Sequence, residues 1–244
     1  MLKWYSKKYV TIIEDLYRIS YNDERKYFDK IVSLWVYYVT RPVSIFITPF
    51  FIFFKINANL VTIIGFIIGI GSLISSYLSN FLSSALLYNL FLIFDSIDGN
   101  ISRLTTPTKK GEYIDSVSGD IINFLFLPFI GLGLYRKGEI FSYFGLLFVD
   151  NIISITLVIS LIHVLSVLIS QRKKMIFNKR ANEPTRIGSK TRVSIFEYII
   201  RNSFGFAFNA PFSILFAYLE LLDLFILYNL MIMPMVLLAT IFRK

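Results

Sequence analysis

The sequence predicts an all-α fold, a polytopic membrane helical bundle of six transmembrane helices preceded by an N-terminal interfacial amphipathic helix. Of the 244 residues, 55% are hydrophobic and 17% are charged, whereas roughly a quarter of the residues of an average soluble domain are charged. Uncharged, mostly apolar runs extend over 39 residues from Ile56 to Phe94, 20 residues from Asn151 to Ser170 and 19 residues from Leu224 to Phe242. A helix of about 20 such residues crosses a hydrocarbon core about 30 Å thick.

The N-terminal part of the chain has a different pattern. Residues 1–30 alternate charged and apolar side chains, as an amphipathic helix does. Ile31–Phe54 is apolar but is interrupted by Arg41 and two prolines, so we expect it to lie along the membrane surface. The predicted organisation is therefore residues 1–56 as cytoplasmic or interfacial amphipathic helices and residues 57–244 as a six-span transmembrane domain.

The first long uncharged run must contain two spans, with a turn at Ser79-Asn80. The six predicted spans have the approximate bounds 59–78, 81–97, 111–135, a fourth that ends at residue 170, 202–219 and 224–242. The start of the fourth span is left open, because residues 140–170 exceed one span without tilt and include Asp150.

Six spans place both termini on one side of the membrane, and the distribution of basic residues indicates which side. Gln171–Arg201 contains nine Lys or Arg against two Glu, and the chain ends in Arg243-Lys244. The positive-inside rule makes this side cytoplasmic. The formal net charge of +9 is then membrane-flanking charge and not the mark of a nucleic-acid-binding protein.

Four carboxylates are concentrated at one predicted helix hairpin on that side. Asp95 and Asp98 end the second span, and Asp115 and Asp120 open the third. A carboxylate within a span is costly unless it is paired, solvated or bound to a cation. The helix dipole stabilises an acid at the start of a helix, which does not account for Asp95 and Asp98. The chain has no cysteine and one histidine, so ligation by oxygen atoms favours Mg²⁺, Mn²⁺ or Ca²⁺.

The same hairpin carries a recognisable pattern, Asp95-Ser-Ile-Asp-Gly-Asn-Ile-Ser-Arg103 followed by Gly111-Glu-Tyr-Ile-Asp115 and Asp120. It resembles the signature D-x2-D-G-x2-A-R-x8-G-x3-D-x3-D of the CDP-alcohol phosphatidyltransferases, which are six-span membrane enzymes and often dimers. Upstream, Asn59-Leu-Val-Thr62 resembles the family's P-N-x-[IV]-T entry to the first span, with Ala58 in place of the proline.

The resemblance implies the transfer of a substituted phosphate from a CDP-linked lipid or alcohol, such as CDP-diacylglycerol, to an acceptor hydroxyl. CMP is released, and the implied pathway is phospholipid biosynthesis. The implied cofactors are two Mg²⁺ or Mn²⁺ ions, and the implied assembly is a homodimer in the bilayer with a cytoplasmic site. The implied metal ligands are Asp95, Asp98, Asp115 and Asp120, of which Asp115 and Asp120 are also catalytic, Asp120 as the base. The implied substrate-binding residues are Asn59, Thr62, Gly99, Ser102, Arg103 and Gly111.

The fourth carboxylate departs from the family pattern. Its expected position is Gly119 here, and the nearest acid is Asp120. At about 100° per residue, position 119 lies about 40° around a helix from Asp115, and position 120 about 140°. Asp120 therefore faces the site only if the helix contains a π-bulge, a distortion found at functional sites. An alternative register aligns Asp120 but puts Glu112 and Ser116 where the family has Gly and Asp.

The basic stretch Gln171–Arg201 admits two interpretations. It is an ordinary positive-inside loop near anionic headgroups, or its residues Arg186, Lys190 and Arg192 bind the phosphate of a phosphorylated acceptor. Two other functions stay open beside the transferase. One is a family relative that has lost catalysis and acts as a membrane scaffold, which Gly119 would suit. The other is a cation-coupled transporter, which predicts acids near the membrane midplane, whereas these acids cluster at one face.

Overall fold

The computed structural model describes residues 2–20, 33–105, 108–138, 151–178 and 206–242. Within these ranges the chain is helical and has no strand, which confirms the predicted all-α class. The helices are α1 Leu2–Ser20, α2 Val36–Phe53, α3 Ala58–Tyr77, α4 Phe81–Leu104, α5 Lys109–Lys137, α6 Ile152–Asn178, α7 Phe206–Tyr218 and α8 Leu222–Phe242. The beginning of α2, Val36–Thr40, is π-helical.

Six helices in the described part of the chain are long and apolar enough to cross a membrane, namely α2, α3, α4, α5, α6 and α8. The number agrees with the prediction, but one member differs. α2, expected at the membrane surface, has the length and hydropathy of a span, whereas α7, expected to be the fifth span, has 13 described residues. Residues 140–150, within which the start of the fourth span is left open, and the predicted start of the fifth span lie outside the described residues.

The helices of the predicted transmembrane domain pack as a closed ring. Going around it, α3 contacts α4, α4 contacts α7, α7 contacts α8, α8 contacts α6, α6 contacts α5, and α5 contacts α3. α2 packs beside this ring, against α4 and α1. The ring therefore includes α7, so its membership agrees with the six spans that the sequence predicts.

α3 and α5 run in the same direction. The Ser79 hydroxyl, just after α3, donates to the carbonyl of Gly133 near the end of α5 at 2.9 Å. Farther along, Gly131 near the end of α5 lies against Thr156 near the start of α6. α5 and α6 are therefore antiparallel, and the start of α5 shares one end of the bundle with the end of α6.

α6 and α8 also run in one direction. Lys173, in the last part of α6, donates to the carbonyls of Thr240 and Ile241 at the end of α8, at 2.8 Å each. A cation at this position satisfies carbonyls that have no partner within their own helix. The starts of α3 and α5 and the ends of α4, α6 and α8 consequently lie at one end of the bundle, which we call the site end.

Three helices end with the same backbone turn. Lys55, Ser79 and Glu220, which follow α2, α3 and α7, have positive φ angles of 55°, 63° and 57°. In each case the N–H of the next residue bonds to the carbonyl five residues earlier, which is the Schellman motif. The predicted turn at Ser79-Asn80 is thereby confirmed.

Small residues bring α3 and α5 close together. A Cβ atom at Gly133 would lie 2.0 Å from the carbonyl oxygen of Ser76, and one at Gly69 would lie 2.7 Å from Cγ1 of Ile122. Lipid tails are as apolar as the helices, so close packing contributes much of the association energy in a membrane. The two glycines therefore set the distance between these helices.

Buried amide side chains hold α7 in the ring. Asn89 of α4 accepts a hydrogen bond from Trp35 Nε1 at 3.0 Å and donates to the Ala210 carbonyl of α7 at 2.9 Å. Asn209 of α7 donates to Asn229 of α8 at 2.9 Å. Such interhelical hydrogen bonds satisfy polar groups that the bilayer cannot.

Candidate active site

Three of the four predicted carboxylates meet at the site end. Asp95 and Asp98 are three residues apart on α4 and so share one face of it. The carboxyl groups of Asp95 and Asp115 lie within hydrogen-bonding reach of each other. Asp98 is close enough to both for their charges to repel. The Asp98 side chain is 4% exposed, whereas Asp95 is exposed, so the cluster has a buried side and an open side.

Thr62 connects α3 to the cluster. Its Oγ1 donates to Oδ2 of Asp98 at 2.6 Å, and both side chains are buried. A buried carboxylate needs such partners because it has lost its hydration. Thr62, predicted to bind substrate, therefore orients a predicted metal ligand in this structure.

The start of α5 lies against the start of α3. Thr108 caps α5, and its Oγ1 accepts from the N–H of Gly111 at 3.1 Å. A Cβ at Gly111 would lie 2.7 Å from Oδ1 of Asn59 and 3.0 Å from Oγ1 of Thr108. A side chain at position 111 would displace these groups, so Gly111 makes room here for protein side chains, one of which is the predicted substrate residue Asn59.

Arg103 folds back along α4 toward the carboxylates. Its Nη1 and Nη2 atoms lie 3.3 Å from the place where a Cβ of Gly99 would be. Nη2 donates to Oδ1 of Asn100 at 2.8 Å. The guanidinium is also close enough to Asp95 and Asp115 to interact with both electrostatically. Gly99 therefore provides the space in which this cation lies.

Two residues of the site were not expected from the sequence. Arg41 of α2 is 7% exposed and is close enough to Asp95 to interact with it electrostatically. Asn100 is fully buried and donates to Ser44 and Thr48 of α2 at 3.1 and 3.2 Å. The one signal for Arg41 is that it is a single charge within an apolar segment. For Asn100 the sequence carries no local signal beyond its place inside the motif.

Asp120 stands apart from the other three carboxylates. α5 is α-helical over Lys109–Lys137, so the π-bulge that would turn Asp120 toward Asp115 is not present in this helix. With regular geometry Asp120 lies about 140° around the helix from Asp115, and its side chain is exposed. A Cβ at Gly119 would meet nothing within 4 Å. The position of the family's fourth carboxylate is therefore open space.

For the remaining predicted site residues the structure gives little information about contacts. Ser102 is half-buried directly before Arg103. Arg186, Lys190 and Arg192 lie outside the described residues.

The fit of the cluster to a metal ion depends on its donors. Carboxylate oxygens are the ligands that Mg²⁺ and Mn²⁺ prefer, and converging like charges favour a cation between them. Among the residues that the structure describes, no group of three or more Asp, Glu, His or Cys side chains is arranged closely enough to hold a metal ion. The donors therefore fit a hard divalent cation chemically, while the side chains as placed do not form a closed ligand shell.

Comparison with known proteins adds independent information. A family model described as CDP-alcohol phosphatidyltransferase matches residues 55–242. A curated relative, the Bifunctional IPC transferase and DIPP synthase of Archaeoglobus fulgidus, is 39% identical over 93 residues. That segment is 38% of this chain and 19% of the relative, so the chain matches a small part of the relative's length. The family match covers every helix of the ring, and α1 and α2 precede it.

Proposed function

The chain belongs to the CDP-alcohol phosphatidyltransferase family, and from this premise we propose that it transfers a substituted phosphate from a CDP-alcohol to an acceptor hydroxyl. The observation that carries the proposal is the meeting of Asp95, Asp98 and Asp115 at one end of the helix ring. We propose CDP-diacylglycerol or a similar CDP-lipid as the donor and phospholipid synthesis as the pathway. The exposed apolar side chains of the spans suit a protein that lies in the bilayer, where a lipid donor is dissolved.

The reaction exchanges one bond to phosphorus for another. The acceptor oxygen bonds to the phosphorus that carries the donor's alcohol, and the bond from that phosphorus to the bridging oxygen breaks. The leaving oxygen keeps the electron pair and departs as part of CMP, while the hydroxyl proton goes to a base. Such transfers depend on positioning and charge neutralisation more than on covalent help.

Different residues of the site are proposed to have different roles in this reaction. Asp95, Asp98 and Asp115 are the proposed ligands of the divalent cations. When bound, Mg²⁺ or Mn²⁺ supplies positive charge that neutralises the phosphate oxygens. Arg103 is proposed to bind the pyrophosphate, because a guanidinium matches two phosphate oxygens at once. Thr62 keeps Asp98 in a fixed orientation.

Two aspartates of α5, Asp115 and Asp120, are candidates for the base. A general base must lie within hydrogen-bonding reach of the proton that it removes. Asp115 lies beside the other carboxylates, whereas Asp120 is exposed on another face of the helix. We therefore favour Asp115, and the role of Asp120 stays a prediction that the variant Asp120→Asn tests.

The acceptor is proposed to carry a phosphate of its own. The basic stretch Gln171–Arg201 begins in the last part of α6, and that part lies at the site end. Arg186 and Lys190 would then bind the acceptor phosphate. The cytoplasmic orientation of the site and a homodimer stay predictions.

The test follows CMP release by purified protein in lipid nanodiscs with Mn²⁺. CDP-diacylglycerol and water-soluble CDP-alcohols serve as donors, and glycerol 3-phosphate, inositol 1-phosphate and serine as acceptors. We expect acceptor-dependent CMP release, which Asp98→Asn lowers at least about 100-fold, since metal-supported charge stabilisation is worth several kcal/mol. Asp223→Asn, at the start of α8 away from the site end, is the matched control and should keep full activity.

The outcomes separate the alternatives. No CMP from any donor and acceptor pair, with folded protein, contradicts the transferase and favours a scaffold. Full activity in Asp98→Asn contradicts the placement of the site. If Asp120→Asn is inactive while Asp115→Asn keeps activity, the alternative register is correct.

A further inference from the structure

A series of hydrogen bonds, in each of which donor and acceptor are defined, links α2 to α4. The hydroxyl of Ser44 donates to the carbonyl of Arg41 at 2.9 Å, and the hydroxyl of Thr48 donates to the carbonyl of Ser44 at 2.6 Å. A hydroxyl has one hydrogen, so each of these oxygens can offer only a lone pair to a further partner. The partner of both is the Asn100 amide, which must therefore present its NH₂ group to them, at 3.1 and 3.2 Å.

The position of the Asn100 side-chain nitrogen also fixes the position of its side-chain oxygen. With its nitrogen facing Ser44 and Thr48, Asn100 presents its oxygen to Arg103, which donates to it at 2.8 Å. A flipped amide would place NH₂ against the guanidinium and oxygen against two lone pairs. Ser44, Thr48 and Asn100 are 0% exposed, so water does not offer replacement partners.

Because these hydrogen bonds run in one direction, residues of both α2 and α4 set the orientation of the Arg103 guanidinium. Arg103 lies over Gly99 and is held on one side by the Asn100 oxygen, beside Asp95 and Asp115. A side chain held in place before its ligand arrives loses less entropy on binding.

We propose that Asn100 is a positioning residue for Arg103, and that α2, which precedes the family match over residues 55–242, completes the substrate site through Ser44 and Thr48. The inference rests on the proposed function, because the ligand of Arg103 is taken to be the pyrophosphate of a CDP-linked donor. It adds to the proposed site one residue inside the motif, Asn100, and one helix outside the matched range, α2.

The test is a double-mutant cycle between Asn100→Leu and Arg103→Ala, with KM for the CDP-linked donor and kcat measured separately. Loss of a hydrogen bond to a charged group is expected to raise KM about tenfold in Asn100→Leu. In the Arg103→Ala background the same substitution should change KM less than about twofold, since residues that act through one another are not additive.

A matched control separates positioning from folding. Asn89 is also a buried asparagine of α4 with hydrogen bonds to other helices. Asn89→Leu should lower Tm and leave KM unchanged. The double variant Ser44→Ala with Thr48→Val removes both acceptors on α2 and should raise KM about threefold to tenfold, because Asn100 is then free to flip.

A second measurement does not depend on turnover. CDP with Mn²⁺ should raise the Tm of the unmodified protein, and Asn100→Leu should lose most of that shift. Equal effects of Asn100→Leu in both backgrounds overturn the inference, as does an unchanged KM in both Asn100→Leu and the Ser44/Thr48 variant. If Asn100→Leu does not fold, the Ser44/Thr48 variant decides. If the unmodified protein neither releases CMP nor responds to CDP, the proposed function fails and this inference with it.

Discussion

The carboxylate of Asp98 is buried at the site end, where it accepts from the hydroxyl of Thr62, at 2.6 Å, and from the backbone N–H of Gly99. A single neutral hydrogen bond contributes about 0.5–1.5 kcal/mol, while removing a carboxylate from water costs several kcal/mol. Asp95 and Asp115 add like charge. This imbalance supports the proposal that a cation joins the cluster, because Arg41 and Arg103 bring two positive charges to three carboxylates.

The open space at Gly119 leads to a prediction. A Cβ there meets nothing within 4 Å, and the position lies about 40° around α5 from Asp115. Gly119→Asp should therefore fit and place a fourth carboxylate beside the cluster. We expect the Mn²⁺ concentration for half-maximal CMP release to fall about threefold to tenfold, since affinity rises with the number of charged ligands.

The control for this change is Gly119→Asn, which has the same size without the charge. It should leave the Mn²⁺ dependence unaltered. A Mn²⁺ requirement in Gly119→Asp that is no lower than in Gly119→Asn would show that position 119 faces away from the metals.

Residues of the site differ in how far their roles could be predicted. The meeting of Asp95, Asp98 and Asp115 follows from helix periodicity and a short connection between two consecutive helices. The partners of Asn100 are 56 and 52 residues away in the chain, and neither Ser44 nor Thr48 belongs to a recognisable pattern. Such contacts depend on how α2 packs against α4, which local spacing does not determine.

At the scale of helices, α4 extends beyond the second span that the sequence predicts. The prediction ended the second span at residue 97, because Asp98 and Arg103 are charged, whereas α4 continues to Leu104. In the structure Asp98 is paired with Thr62 of α3, and Arg103 is paired with Asn100 of α4 itself. Apolar periodicity predicts a helix, but a partner such as Thr62, on another helix, is not predicted by that periodicity.

Packing of α3 against α5 gives a prediction for Gly133. A Cβ there would lie 2.0 Å from a backbone oxygen, that of Ser76, and 2.9 Å from the Phe81 ring. Since a backbone atom cannot move aside cheaply, Gly133→Ala should destabilise the protein by about 1–3 kcal/mol. For a chain of this length that corresponds to a fall in Tm of about 2–4 °C per kcal/mol, measured by thermal unfolding in detergent.

Gly119→Ala is the matched control, because its added methyl group meets nothing within 4 Å on the same helix. It should keep or slightly raise Tm, since alanine favours a helix over glycine. Equal losses of Tm in the two variants would contradict the assigned closeness of α3 and α5.

At the scale of the whole molecule, the ring explains why the site is at one end of the bundle. Consecutive helices of the chain alternate in direction, so the motif residues at the start of α3, the end of α4 and the start of α5 meet where the end of α6 also lies. The same end carries Lys55, Arg103, Lys109, Lys110 and Lys173. The six-span count and the distribution of basic residues together predict that the segments around Arg103 and Lys173 lie on one side, because membrane topology couples the position of basic residues to the direction of each span.

The orientation of the ring is the last prediction, and the chain suits its test because it has no cysteine. Single cysteines are introduced by Lys55→Cys and Thr105→Cys at the site end and by Glu220→Cys at the other end, all exposed positions. The positive-inside rule predicts that a membrane-impermeant maleimide labels Glu220→Cys in intact cells, and the other two only after permeabilisation. CMP release by each variant shows that it is folded. Labelling of Thr105→Cys in intact cells would reverse the orientation, and labelling of Lys55→Cys and Thr105→Cys from different sides would contradict the single site end.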